Sequence, residues 1–151
     1  MEISVGDQLI RFDLELTRAA YAALDSGVAE KCGCPYCRNF AMQRSTAYPE
    51  TFRRLLDQLG VDLAKEGDLH EEGAEDTLVR YGGWFYLAGE LIQPGERLAN
   101  TSPDFQYFFR VSHKPRAMAD FEDEVLALEF TTKLPWILSE QPPPARSTAR
   151  I

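Results

Sequence analysis

The chain has 151 residues, of which 44% are hydrophobic and 26% charged, and its formal net charge is −8. This length suits a single domain with a hydrophobic core of its own. Proteins that bind nucleic acid usually present a clustered basic surface, whereas the basic residues here are scattered and residues 65–76 (KEGDLHEEGAED) are strongly acidic. The composition therefore argues against binding to nucleic acid or to an anionic membrane, and the acidic run itself is typical of a solvated loop.

The sequence also bears on the compartment of the protein. No apolar run approaches the roughly 20 residues that a membrane-spanning helix needs. The first ten residues (MEISVGDQLI) lack the basic and apolar regions of a signal peptide. These features predict a cytoplasmic protein with reduced thiols, and the odd number of cysteines, three, argues against a disulfide framework.

The first element of the chain is predicted to be a strand. Residues 8–16 (QLIRFDLEL) alternate apolar and polar side chains, which is typical of a half-buried strand. Thr17 then suits the N-cap of a helix, and Gly27 suits the left-handed residue that ends it.

Two further helices are predicted before residue 61. Pro35 suits the first turn of a helix over residues 35–45, because its missing N–H is not needed there. Another helix starts near Pro49 and ends at Gly60. Its apolar stripe, with helical spacing, consists of Phe52, Leu55, Leu56 and Leu59.

The second half of the chain predicts strands. Residues 62–77 are expected to be irregular or a short helical turn. Residues 78–92, 105–112 and 124–132 are rich in aromatic and aliphatic side chains, and the segments between them are rich in Gly, Pro, Asn and Asp. Neighbouring strands in this order, with helices concentrated in the first half, predict an α+β fold with a mainly antiparallel sheet.

The aromatic side chains of these strands are more typical of a core than of a ligand pocket or an interface. In a core, Trp84 and Tyr107 are expected to form a cross-strand pair. Gly89 is expected to mark a bulge or a close approach of two backbones.

Residues 1–138 are predicted to form one domain, and residues 139–151 (SEQPPPARSTARI) a proline-rich tail. The tail has no periodic pattern and is typical of an extended or disordered arm. A neighbouring subunit is a candidate to hold such an arm, which makes a homo-oligomer the expected assembly.

All three cysteines lie in residues 32–37 (CGCPYC), spaced as C-x-C-x2-C. Three thiolates at this spacing can converge on one tetrahedral zinc ion, because a tight turn brings the first pair round and the C-x2-C arm closes the site. A fourth ligand is needed, and the chain has two histidines, His70 and His113. The predicted metal site consists of Cys32, Cys34, Cys37 and His70, with His113 as the other candidate for the fourth position.

Two other interpretations of the cluster stay open. Residues 34–37 (CPYC) are identical to the active-site tetrapeptide of glutaredoxins, in which a thiolate at a helix N-terminus attacks disulfides. Cys34 would be the nucleophile and Cys37 the resolving thiol, but no buried strand precedes the motif and no TVP-like segment follows it. Alternatively, the thiols pack as small hydrophobic groups at a turn.

A longer pattern comprises CGCPYCRNF at 32–40, YGGWFYLAGELI at 81–92 and LEFTTKLPWIL at 128–138. It resembles a family of uncharacterised bacterial proteins over about residues 12–138. Since that family has no established activity, the resemblance carries over no catalytic residue. It implies that the residues between Cys34 and Cys37 are free to vary, which weakens the similarity to glutaredoxins.

The sequence contains no motif for phosphate, dinucleotide or zinc-protease chemistry. It therefore predicts a small cytoplasmic binding or interaction protein whose cysteine cluster is structural and can hold zinc. Arg38 and Asn39 are expected to support the helix start by side-chain hydrogen bonds. A thiol–disulfide oxidoreductase that uses Cys34 and Cys37 is the alternative function.

Overall fold

The computed structural model describes residues 1–96 and 103–144. Residues 97–102, in the loop predicted before the strand at 105, and residues 145–151 of the predicted tail lie outside this part. In chain order the elements are β1 (Glu2–Val5), β2 (Gln8–Phe12), α1 (Leu14–Ala22), α2 (Val28–Cys32), α3 (Pro35–Met42), α4 (Arg44–Ala47), α5 (Glu50–Leu59), β3 (Asp68–Glu75), β4 (Leu78–Leu87), β5 (Gly89–Gln93), β6 (Phe105–His113), a 3₁₀ turn (Arg116–Met118) and β7 (Glu124–Pro135).

The strand predicted over residues 8–16 ends earlier, because a helix begins inside it. The Asp13 carboxylate accepts a hydrogen bond from the Leu16 N–H at 3.0 Å and so caps α1. Thr17 is therefore not the N-cap. It is buried within α1, and its hydroxyl accepts from the Ala88 N–H at 3.1 Å.

The predicted end of this helix is also wrong. Helix α1 ends at Ala22, and Gly27 is instead the N-cap of α2. The helix after Pro49 is confirmed, because α5 follows Pro49 and ends at a left-handed Gly60. The helix predicted over residues 35–45 begins at Pro35 but ends at Met42, and Arg44–Ala47 form the separate helix α4. All four apolar residues of the predicted α5 stripe are buried.

The acidic run contains a strand rather than a loop or a helical turn. Strand β3 pairs antiparallel with β4, in the four-stranded sheet β3-β4-β7-β6. The other sheet has the order β1-β2-β5, and Gly89 at the start of β5 pairs with Phe12. A Cβ atom on Gly89 would lie 2.4 Å from the carbonyl oxygen of Arg11, which confirms the expected close approach of backbones.

The aromatic side chains are mostly core, as predicted, but the expected Trp84–Tyr107 pair is wrong. Strand β7 lies between β4 and β6, so Trp84 pairs with Glu129 and Tyr107 with Phe130. Tyr107 and Trp84 consequently lie on opposite faces of the sheet. The inner face, with Phe130, carries the core, and the outer face carries Trp84, over which the Arg110 guanidinium lies 4.7 Å from the ring centroid.

The α+β fold is confirmed, with the helices in the first half and two antiparallel sheets. Helices α2 and α3, which carry the cysteines, both contact the edge strand β3. The longest helix of the described residues, α5, has ten residues, and none of the helices there is long and apolar enough to cross a membrane.

Candidate metal centre

The three cysteines lie where one short helix ends and the next begins. Cys32 is the last residue of α2, Cys34 is the N-cap of α3 and Cys37 lies in its first turn. Gly33 between them has φ 67°, a left-handed conformation that a side chain at this position would strain. This turn reverses the chain sharply and brings Cys32 back towards the thiols of α3.

The thiols are close enough to share one ion. The three Sγ atoms all lie within 4.8 Å of one another, and they form a potential metal-ligating group of the part of the chain that the structure describes. In a tetrahedral zinc site, with Zn–S bonds of about 2.3 Å, the sulfurs lie about 3.8 Å apart. The Sγ atoms would therefore have to approach one another by about 1 Å at most to supply three of the four ligands of such a site.

The thiols differ in their surroundings. Cys32 is exposed, Cys34 is half-buried and Cys37 is buried. The Cys34 Sγ accepts a hydrogen bond from the Cys37 N–H at 3.4 Å, which caps α3. Burial raises the pKa of the Cys37 thiol, and hydrogen bonds with Cys34 and Cys32 add to the rise. A metal ion that binds here must therefore displace a proton from Cys37.

Side chains of β3 and β4 lie against the cysteine cluster and enclose a small cavity with it. A cavity of about 30 Å³ is lined by the three cysteines together with Tyr36, Leu69, His70, Glu71 and Tyr81. Its size is that of an ion or of one or two waters. The sequence alone did not single out Glu71 or Tyr81, because neither belongs to a recognisable motif.

Asn39 and Tyr81 fix α3 on the sheet. The Tyr81 hydroxyl donates to the Tyr36 carbonyl at 2.7 Å and accepts from the Asn39 amide at 3.2 Å. The same amide donates to the Pro135 carbonyl, and its oxygen accepts from the Ile137 N–H at 2.8 Å. Asn39 thus ties α3 to the end of β7 and does not support the helix start as predicted.

Arg38 does support the cysteine turn. Its Nε donates to the Gly33 carbonyl at 3.2 Å, and its Nη1 pairs with Glu140 at 2.7 Å. The beginning of the predicted tail therefore lies against α3. The Tyr36 hydroxyl also donates to the Pro143 carbonyl, so residues 139–144 contact α3 at two side chains.

A buried ion pair fixes α2, which carries Cys32. The side chain of Glu66 is 0% exposed and accepts hydrogen bonds from Arg44 at 2.8 Å and from the Ala29 N–H at 3.1 Å. Arg44 also pairs with Glu30 at 2.7 Å. Burial raises the pKa of Glu66, while Ala29 and Arg44 oppose the rise. This network was missed in the sequence, since its members are far apart along the chain.

His70 lies beside the cluster, but both nitrogens of its ring contact carboxylates and not the thiols. Nδ1 lies 2.8 Å from the Asp68 carboxylate and Nε2 lies 3.0 Å from that of Glu72, and hydrogen bonding to Asp68 first, then to Glu72, raises the pKa of His70. The ring lies over Gly82, where a Cβ atom would be 2.7 Å from Nε2, and near Trp84 on the outer face. His70 as a metal ligand therefore stays a prediction, and its ring would have to leave these partners to bind a metal.

His113 lies far from the cysteines. It pairs with Glu124 of β7, whereas Tyr81, beside the cluster, pairs with Thr132 of the same strand. Eight residues along a strand correspond to roughly 26 Å. This separation removes the other histidine from consideration as the fourth ligand.

Comparisons of the chain with known protein families, with curated proteins and with solved structures found no match. The resemblance to uncharacterised bacterial proteins therefore stays a prediction. What the geometry establishes is a close cluster of three cysteines that can hold a metal ion.

Proposed function

We propose that this chain is a small binding protein in which Cys32, Cys34 and Cys37 hold one zinc ion with a structural role. The observation that carries the proposal is the mutual approach of the three Sγ atoms within 4.8 Å. Three thiolates are soft ligands, which select zinc and other thiophilic metals over magnesium or calcium. Zinc has no redox chemistry of its own and is the usual ion of structural sites rich in cysteine.

The position of the cluster supports a structural role. Helix α2 has five residues and α3 has eight, and both are far shorter than an isolated helix that is stable in water. An ion bound to Cys32 and to the thiols of α3 would join the two helices across the Gly33 turn. Metal binding would then contribute directly to folding.

The other parts of the proposal come from the sequence. The protein would act in the cytoplasm, where free thiols persist, and the bacterial family that it resembles would share the site. We also propose that it forms a homo-oligomer through its tail. Deletion of residues 139–151 should then lower the sedimentation coefficient, and an unchanged value would refute the role of the tail.

Elemental analysis of untagged protein, purified under reducing conditions without chelator, tests the metal site. We expect about one zinc per chain and thiols that react slowly with a disulfide reagent until a chelator is added. Cys34→Ser is the sharpest variant, because a serine oxygen can still cap α3 while the thiolate is lost. It should bind zinc weakly and keep the far-UV circular dichroism of the metal-free wild type.

The same experiment separates the proposal from thiol–disulfide exchange by Cys34 and Cys37. A protein without metal, in which Cys34 reacts rapidly with disulfides and Cys37 resolves the product, would refute the zinc site and support the oxidoreductase. Three thiols that are slow even with chelator, in a protein without metal, would leave only a packed turn.

A further inference from the structure

Strand alternation makes His70 and Glu71 face opposite sides of β3. His70 pairs with Gly82 and its ring lies on the outer face, while Glu71 pairs with Tyr81. The Tyr81 hydroxyl reaches the Tyr36 carbonyl at the start of α3, so the Glu71 side of the strand is the side of the cysteines. The residue next to the predicted ligand is therefore the one that the fold turns towards the thiols.

The carboxylate of Glu71 is buried and close to the cluster. Glu71 is 8% exposed and lines the cavity of about 30 Å³ that all three cysteines line. One carboxylate oxygen accepts from the Gly73 N–H at 2.9 Å.

We infer that Glu71 supplies the fourth ligand of the metal ion held by Cys32, Cys34 and Cys37. The inference rests on the proposed zinc site. Carboxylate oxygens bind zinc at about 2.0–2.2 Å, and three thiolates with one carboxylate complete a tetrahedron. On metal binding, the carboxylate would exchange contacts such as the hydrogen bond from the Gly73 N–H for the bond to the ion.

A buried carboxylate has a physical reason to bind a cation. Removing a carboxylate from water is unfavourable unless it is paired, hydrogen-bonded or coordinated to a metal. The His70 ring has a carboxylate at each nitrogen, and both contacts would be lost if it turned to the thiols. The side of β3 on which each residue lies therefore favours Glu71 over His70 as the fourth ligand.

Zinc affinity of the full chain, measured by competition with a chromophoric chelator, tests the assignment. Glu71→Gln removes the charge but keeps the shape and an acceptor for the Gly73 N–H. Its affinity should fall at least about tenfold, the lower end of what loss of even an outer-shell partner costs. Glu72→Gln, the neighbouring carboxylate near the His70 ring, is the matched control and should leave the affinity unchanged.

His70→Gln is the variant that distinguishes His70 from Glu71 as the fourth ligand. A large loss of affinity in His70→Gln, with Glu71→Gln unaffected, would overturn the inference in favour of the histidine. Unchanged affinity in both would also overturn it, because the fourth position would then hold water. Wild-type protein that binds no zinc would refute the proposed function itself, which is a separate result.

Zinc K-edge absorption on the wild-type protein gives a test that needs no variant to fold. We expect three sulfur neighbours at about 2.3 Å and one light neighbour at about 2.0–2.2 Å. The same spectrum of Glu71→Gln, if its circular dichroism is native, should lose or lengthen the light-atom shell. A histidine ring, recognised by its outer-shell carbon scattering, would contradict the assignment.

Discussion

Replacing Arg44 by methionine tests whether the buried ion pair holds α2 and its cysteine in place. The Arg44 side chain is 11% exposed and that of Glu66 is 0% exposed, so the change leaves a carboxylate in the interior without its cation. Methionine keeps much of the apolar stem of arginine. The loss is therefore mainly one of charge pairing, which for buried pairs costs about 3–5 kcal/mol of unfolding free energy.

Protonation of Glu66 limits the part of this cost that comes from the buried charge. In the variant, the carboxyl can become neutral, and at pH 7 this costs at most about 3.7 kcal/mol, given an unfolded-state pKa of about 4.3 and 1.36 kcal/mol per pH unit. At pH 5 the same cost is at most about 1 kcal/mol. We therefore expect Arg44→Met to lose about 3 kcal/mol at pH 7 and about 1 kcal/mol at pH 5.

The sign of the pH dependence follows from proton linkage. Burial already raises the pKa of Glu66, and removal of Arg44 raises it further. The folded variant then binds more protons than the unfolded chain, so its stability falls as the pH rises above the unfolded-state pKa. Urea unfolding of wild type and variant at both pH values measures the difference.

Arg54→Met is the matched control. Arg54 pairs with Glu50 one helical turn away, at side-chain exposures of 75% and 66%, and loss of such a pair costs about 0.5 kcal/mol or less. The reasoning is refuted if Arg44→Met costs no more than this control at pH 7, or if its cost is the same at pH 5.

Two further results are expected. Cys34→Ala should be about 1 kcal/mol less stable than Cys34→Ser in metal-free protein, because alanine cannot cap α3; equal urea midpoints would show that the cap contributes nothing. His70→Gln should lose stability relative to wild type at pH 6 and lose less at pH 8. Asp68 and Glu72 raise the His70 pKa, so their stabilisation is fully present below the unfolded-state pKa of about 6.5 and disappears as the pH rises through the folded value. A stability difference that does not vary with pH would contradict this assignment.

The periodicity of apolar side chains was sufficient to predict a helix or a strand where such side chains dominate one of its faces. The apolar stripe of α5 and the strand content after residue 77 were predicted because buried side chains repeat at 3.6 or at 2 residues. The single strand predicted over residues 78–92 is, however, divided into β4 and β5, which belong to different sheets. The periodicity also failed at Leu14 and Leu16, which continue the alternation of β2 but lie in α1. There the Asp13 cap decides the structure, and an aspartate inside an alternating run gives the same signal as any exposed polar residue.

The edge strand β3 was missed for a different reason. Its buried inner-face residues include Leu69 and Glu71, and a buried glutamate cannot be distinguished from a solvated one in the sequence. The ladder with β4 forms through the backbone and therefore tolerates this composition. The burial of Glu66 cannot be read from the sequence for the same reason, because its partner Arg44 comes from another element, α4.

In the cysteine cluster, the approach of the three thiols could be predicted from the sequence, but the fourth ligand could not. The spacing of Cys32, Cys34 and Cys37 is local, so one turn determines their approach, and the sequence could anticipate it. The fourth ligand that we infer comes from β3, and on a strand a difference of one residue changes the face. Composition favours His70 because histidine is the commoner ligand, whereas the register that pairs Glu71 with Tyr81 favours its neighbour. Because this register is fixed by pairing with β4, the choice between the two residues depends on tertiary structure and not on the ligand chemistry of either side chain.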